Sequence, residues 1–143
     1  DLSNERTRNI NFDWDRMLSF DGETGPYLQY THARASSILR KANSKVSSKI
    51  NFSLLSLDEE KAVIRLLYDF PERIVKAAET YKPHHIANHL ISLAQAFNEF
   101  YHKCPVISER DEQMNARLLL VDSVRQVLEN GLRLLGIKAP DEM

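Results

Sequence analysis

The sequence predicts an all-α protein: a helix bundle of about five main helices plus a short N-terminal junction helix. Three observations carry this. From Tyr27 onward, apolar residues recur three and four apart through segment after segment, the spacing of one face of a helix. The four glycines and five prolines fall mostly between those segments. A chain of 143 residues with 43% hydrophobic and 27% charged residues can build one ordinary soluble core without staples.

Composition also excludes several classes. No apolar run approaches the roughly 20 residues needed to span a bilayer. Cys104 is the single cysteine, so an internal disulfide and a cysteine-based metal motif are both ruled out. A lone thiol suits a reducing compartment, and a cytoplasmic location is expected. The chain begins at Asp1 without a signal-peptide pattern and reads as a piece of a longer protein.

Asp1–Asn11 is polar and mixed in charge, a mobile tail or a fragment of a neighbouring domain. Phe12–Phe20 (FDWDRMLSF) can form the short junction helix, capped by Asp13 or Asp15, with Trp14, Met17 and Leu18 inward. Gly22 and Gly25 then permit turns, and Pro26 suits the start of a helix over Tyr27–Lys41. Asn43–Phe52 (NSKVSSKINF) reads as an exposed loop.

Ser56 with Glu59 three residues on forms a capping box, opening a helix over Glu59–Asp69 with Ala62, Val63, Leu66 and Leu67 inward. Pro71 is expected to break it and to start the next helix, Pro71–Tyr81, with Ile74, Val75 and Ala78 inward. Both helices read as scaffold. Pro83 starts a longer helix from His84 to about Lys103, whose inner residues are Ile86, Leu90, Leu93, Phe97 and Phe100/Tyr101. Asn98 and Glu99 are expected on its solvent side.

His84, His85 and His89 raise a metal hypothesis, because His85 and His89 share a helix face. No acid lies between them and no third ligand is near, so exposed or capping histidines are the expected reading. Cys104, with no activating partner near in sequence, is read as a packed or partly exposed thiol. Ser108 should cap the last and longest helix, with Asp111 and Glu112 in its first turn. Its stripe of Leu118, Val121, Val124, Leu128, Leu132 and Leu135 makes it the expected central core helix. Gly131 inside it implies a close helix contact, and Gly136 its stop.

Candidate chemistry sits on Tyr27–Lys41. Leu28, Ala35 and Leu39, with His32 among them, form a mostly apolar stripe. Tyr27, Tyr30, Arg34, Ser37 and Lys41 form a second stripe of aromatic, cationic and hydroxyl groups. Rings can stack on bases and cations can meet phosphates or base edges, so this stripe has the chemistry of a single-stranded nucleic-acid surface. On spacing alone, packing aromatics beside a solvated cationic face is the more ordinary reading. The charge pattern favours a polyanion partner: between Glu23 and Asp58 there is no acidic residue, whereas Arg34, Arg40, Lys41, Lys45 and Lys49 all fall there.

LSFDGETGPYLQYTHARASSILRK resembles the segment of arginyl-tRNA synthetases that leaves the catalytic domain and enters the C-terminal helical domain. HHIANHLISLAQAFNEFYHKCPV resembles a later helix and turn of that family, and VRQVLENGLRLLGIKAPDEM its final helix and short tail ending in Met. Asp122-Ser123-Val124-Arg125 stands where the Asp-Ala-Leu-Arg signature names the DALR anticodon-binding domain.

The resemblance implies that residues 1–24 are the end of the catalytic domain and a junction, and 25–143 a DALR-type helical domain binding the anticodon loop of the arginine tRNA. It implies RNA contacts from Tyr27, Tyr30, Arg34, Tyr101 and Met143, and more weakly from Glu23. Some relatives carry an aromatic group where this chain has Pro105. It further implies an enzyme that ligates arginine to tRNA with ATP and magnesium, its catalytic domain elsewhere in the same protein. A monomer is expected, with no membrane or DNA partner. No HIGH-like or KMSKS-like motif and no Gly-rich phosphate cradle occurs in these residues, so no catalytic residue, cofactor site or metal site is expected here. The competing reading is a helical protein-interaction module without RNA binding, supported by the near-neutral total charge and the plain amphipathic scaffold helices.

Overall fold

The computed structural model describes residues 3–4, 24–42, 50–107 and 111–143. The expected junction helix, the Ser108 cap, Glu23 and most of the 43–52 loop lie outside them. The described residues form four helices, α1 (Gly25–Ala42), α2 (Asp58–Thr80), α3 (His84–Lys103) and α4 (Asp111–Leu134), plus a 3₁₀ turn at Phe52–Leu54. The all-α expectation holds; the count of five main helices becomes four.

Pro71 accounts for the difference. It lies inside α2 and does not break it. A proline there forfeits one backbone hydrogen bond, to Leu67, and crowds that carbonyl. Its ring is exposed, so the unmade bond faces solvent. Meanwhile Val63, Phe70 and Ala77 are buried at seven-residue spacing straight across it. Because α2 runs unbroken through Pro71, the Val63, Phe70, Ala77 register continues past it, and Val75 and Ala78, expected inward, are exposed. Ala62 is exposed as well, because Glu60 holds the inner position of that turn.

The α2 cap also moves by one residue. Leu57, not Ser56, is the N-cap, and the Glu60 carboxylate accepts from the Leu57 N–H at 3.0 Å. Leucine has no side-chain acceptor, so half of a capping box remains. Glu60 is wholly buried and meets Arg117 Nε of α4 at 2.7 Å, while Arg117 also donates to the Pro105 carbonyl at 2.7 Å. One buried ion pair thus joins the start of α2, the body of α4 and the turn after α3.

Helices α3 and α4 each touch every other helix, whereas α1 and α2 do not meet. Leu90, Leu93, Phe97 and Phe100 of α3 and Leu118, Val121, Leu128 and Leu132 of α4 are fully buried. The centre is therefore shared, not held by α4 alone. The implied close contact at Gly131 is present: a Cβ there would lie 2.5 Å from Leu90 Cδ2. Gly136, at φ +74°, ends the last helix as expected.

His89 is buried, not exposed. Its Nε2 donates to the Leu66 carbonyl at 2.8 Å, and its ring stacks on Phe70. The side chain thus braces α3 against α2 one turn before Pro71. Among the described residues no group of His, Cys, Asp and Glu could hold a metal ion, and no helix is long and apolar enough to cross a membrane. Cys104 is buried, which pushes its thiol pKa up and keeps it in the unreactive form.

Candidate functional site

Helix α1 starts two residues earlier than its periodicity suggests. Thr24 Oγ1 accepts from the Tyr27 N–H at 3.2 Å, so Thr24 acts as cap and Pro26 falls in the first turn, where it costs no hydrogen bond. The helix then separates three faces. Leu28, Ala35 and Ile38 enter the core. A polar stripe, Gln29, His32, Ser36 and Arg40, holds the C-terminal tail. Tyr30, Arg34, Ser37 and Lys41 line an open cavity of about 800 Å³.

The tail runs along α1 in the same direction as the helix. Gln29 Nε2 donates to Lys138 O at 2.8 Å, and His32 Nδ1 to Pro140 O at 2.8 Å. Ser36 Oγ donates to Asp141 Oδ1 at 3.0 Å, and Arg40 to Asp141 O at 3.1 Å. Three- and four-residue steps on the helix match a nearly extended strand beside it. His32 is buried, and its Nε2 has no hydrogen-bond partner among the described residues. Orphaning such an atom costs about 1–3 kcal/mol, so the docked tail must offset it. These contacts bring Met143 to the cavity wall, which Tyr101 and the Pro105–Ile107 segment also line.

Arg34 organises the cavity. Its guanidinium carbon lies 4.8 Å from the Tyr30 ring centroid and 5.7 Å from that of Tyr101. Its NH2 donates to the Tyr30 hydroxyl at 3.1 Å and its NH1 to Asn98 Oδ1 at 2.8 Å. Asn98 Nδ2 in turn donates to the Tyr27 hydroxyl at 2.9 Å. A guanidinium has five N–H donors, and the remainder can serve a ligand. Two rings and a fixed cation in an open cavity can receive a planar base with acceptor atoms on its edge.

Of the five residues singled out in sequence, Tyr30, Arg34, Tyr101 and Met143 line this cavity. Tyr27 packs half-buried against the core behind it and reaches the site through its hydroxyl. Asn98 was expected on the solvent side; it is half-buried and joins Tyr27 to Arg34. Its three-residue spacing from Tyr101 on one helix was the signal available. The tail-holding stripe was not foreseen, because nothing local marks Gln29, His32, Ser36 and Arg40 as partners of residues about a hundred positions later. The basic block is also less bare than its sequence: Arg40 lies 3.4 Å from Glu142 in an exposed pair, weakened by solvent.

Away from the cavity lining, the Asp-x-x-Arg unit of α4 is an i,i+3 ion pair. Arg125 donates to Asp122 at 2.9 Å and to Glu129 at 3.2 Å, while Val124 between them is buried.

Residues 28–143 match the DALR anticodon binding domain family. The whole chain is 50% identical to the arginine–tRNA ligase of Alkaliphilus metalliredigens and 48% identical to that of Clostridioides difficile. It spans about a quarter of the length of these relatives, covering 25% of each. Among solved structures, the arginyl-tRNA synthetase of Thermus thermophilus superposes with a TM-score of 0.91 at 39% identity, covering 99% of this chain and 25% of that one. The Plasmodium falciparum arginyl-tRNA synthetase gives 0.88 at 27% identity, covering 100% of this chain and 25% of that one.

Proposed function

The chain belongs to the DALR anticodon binding domain family, and from that premise we propose that it is the anticodon-binding module of an arginine–tRNA ligase. The observation that carries the reading is the cavity between α1, α3 and the tail, where Arg34 lies against the Tyr30 and Tyr101 rings. Anticodon-loop bases splay into this cavity and stack on the tyrosines, each stack contributing about 1–3 kcal/mol. Arg34 donates to a base edge or a phosphate. Met143 lines the cavity on the tail side, and Lys41 supplies charge to it.

Ligation of arginine to tRNA, with its need for ATP and magnesium, is proposed for the whole protein and not for these residues. The relatives' names and their fourfold greater length support that reading. The catalytic domain would be the module's partner within the same protein, and residues 1–24 the connection to it.

The test is a binding titration at low salt with an arginine-tRNA anticodon stem-loop and the same loop with its middle cytosine changed. Tighter binding of the cytosine loop, lost in Arg34→Ala, is the expected result. Binding should also weaken steeply with salt as phosphate contacts release counterions. No affinity for either loop in a helical, folded chain would overturn the reading.

A further inference from the structure

Tyr27, Asn98 and Arg34 come from two helices and form one continuous hydrogen-bonded line. Asn98 Oδ1 accepts from Arg34 NH1 at 2.8 Å, and Asn98 Nδ2 donates to the Tyr27 hydroxyl at 2.9 Å. We propose that Asn98 is the positioning residue that sets the guanidinium of Arg34 for base discrimination, with the Tyr27 hydroxyl locking the amide. This rests on the anticodon-binding reading and assigns within it a residue that never touches RNA.

The chemistry of the amide supports the assignment. A guanidinium only donates, so the Asn98 carbonyl, not its NH₂, must face Arg34. A tyrosine hydroxyl can accept, so it takes the amide's N–H and fixes the orientation from behind. Rotating the amide would set donors against donors at Arg34. A neutral acceptor also leaves Arg34 its full positive charge; a carboxylate at position 98 would hold the fork and neutralise it.

The geometry also restrains the whole fork. Asn98 holds NH1, the Tyr30 hydroxyl holds NH2, and the rings of Tyr30 and Tyr101 flank the carbon. Three of the five N–H donors remain, and their directions are set by the restrained fork. Cytosine offers two adjacent acceptors, O2 and N3, on its pairing edge; uracil offers a donor at N3. Only a fork held in place can exploit that difference, since a swinging arginine would reach the uracil carbonyls as readily.

The experiment uses this chain with two anticodon stem-loops that differ only in cytosine or uracil at the middle position, titrated across a salt series. Asn98→Ala is expected to lower discrimination by roughly tenfold, the size of a typical coupling between contacting groups. Its salt slope should stay that of the unaltered chain, because phosphate contacts are untouched. In an Arg34→Ala background the same Asn98→Ala change should have no further effect. Tyr27→Phe, which deletes only the hydroxyl, should shift discrimination in the same direction by less. Circular dichroism and a thermal melt confirm folding of each variant.

Discrimination within twofold of the original in folded Asn98→Ala would overturn the proposal and leave the anticodon-binding reading standing. So would a loss of affinity for both loops from Asn98→Ala in the Arg34→Ala background equal to its loss in the original chain, which would mean that Asn98 acts through the fold. An unaltered chain that binds neither loop would remove the functional reading and the proposal together.

Discussion

Arg117 Nε lies 2.7 Å from Glu60 Oε1, and both side chains are almost wholly withdrawn from solvent. Removing one member leaves the other as an uncompensated buried charge. Glu60→Gln or Arg117→Met is therefore expected to destabilise the fold by about 3–5 kcal/mol in chemical denaturation. Replacing both by apolar residues should cost less than either single change. Because Arg117 also holds the Pro105 carbonyl, the single variants should loosen the cavity wall as well.

Pro71 predicts a gain. It is exposed, mid-helix and flanked by a continuous buried stripe. Pro71→Ala restores the missing hydrogen bond and about 3 kcal/mol of helix preference, less about 0.4–1 kcal/mol for a more flexible unfolded chain and part of the rest already absorbed by local relaxation. A net stabilisation of about 1–2 kcal/mol is expected, read as a raised Tm. A lowered Tm would show that the proline shapes α2 for its contact with α3.

His89 makes stability depend on pH. Burial is the main cause that pulls its pKa below the usual 6.5, against the opposing hydrogen bond to Leu66. The unfolded chain therefore takes up a proton at higher pH than the folded one. Stability is full above about pH 6.5 and falls as pH drops through the lower folded value, by at most about 1.4 kcal/mol per pH unit for one proton. His85 shifts in the same direction, by burial and by nearby cations. Denaturation curves at pH 7.5 and 5.5 should show the loss, and His89→Gln should shrink it.

The tail supplies the fourth prediction. Removing Asp141–Met143 deletes the acceptors for Ser36 and Arg40 and the Met143 wall of the cavity. The helices should remain, with about 1 kcal/mol lost per bond removed. RNA affinity should drop by roughly tenfold, the scale of one lost base contact. Unchanged RNA affinity in the shortened chain would show that the tail stands aside from the ligand.

Much of this was legible from local pattern. The Tyr27, Tyr30, Arg34, Ser37, Lys41 stripe needs only helical spacing; the last four line the cavity, and Tyr27 packs against the core. Gly131 announced a close approach, and Leu90 is what it approaches. The α2 errors have a common origin: proline is a strong local breaker, and a local rule cannot weigh it against Val63, Phe70 and Ala77 packing in one register.

The sequence by itself determined the helical class, the cation–aromatic stripe of α1 and, through its long matching stretches, the family. Those depend on residues a few positions apart. Tertiary structure alone decided that Glu60 is a buried acid rather than a solvated one, that Asn98 faces Arg34, and that His32 anchors a tail ending at Met143. Their partners lie 57, 64 and 108 positions away. A polar side chain declares no partner in advance. Which donor meets which acceptor is settled only when the apolar faces of α1, α3 and α4 have fixed the distances between them.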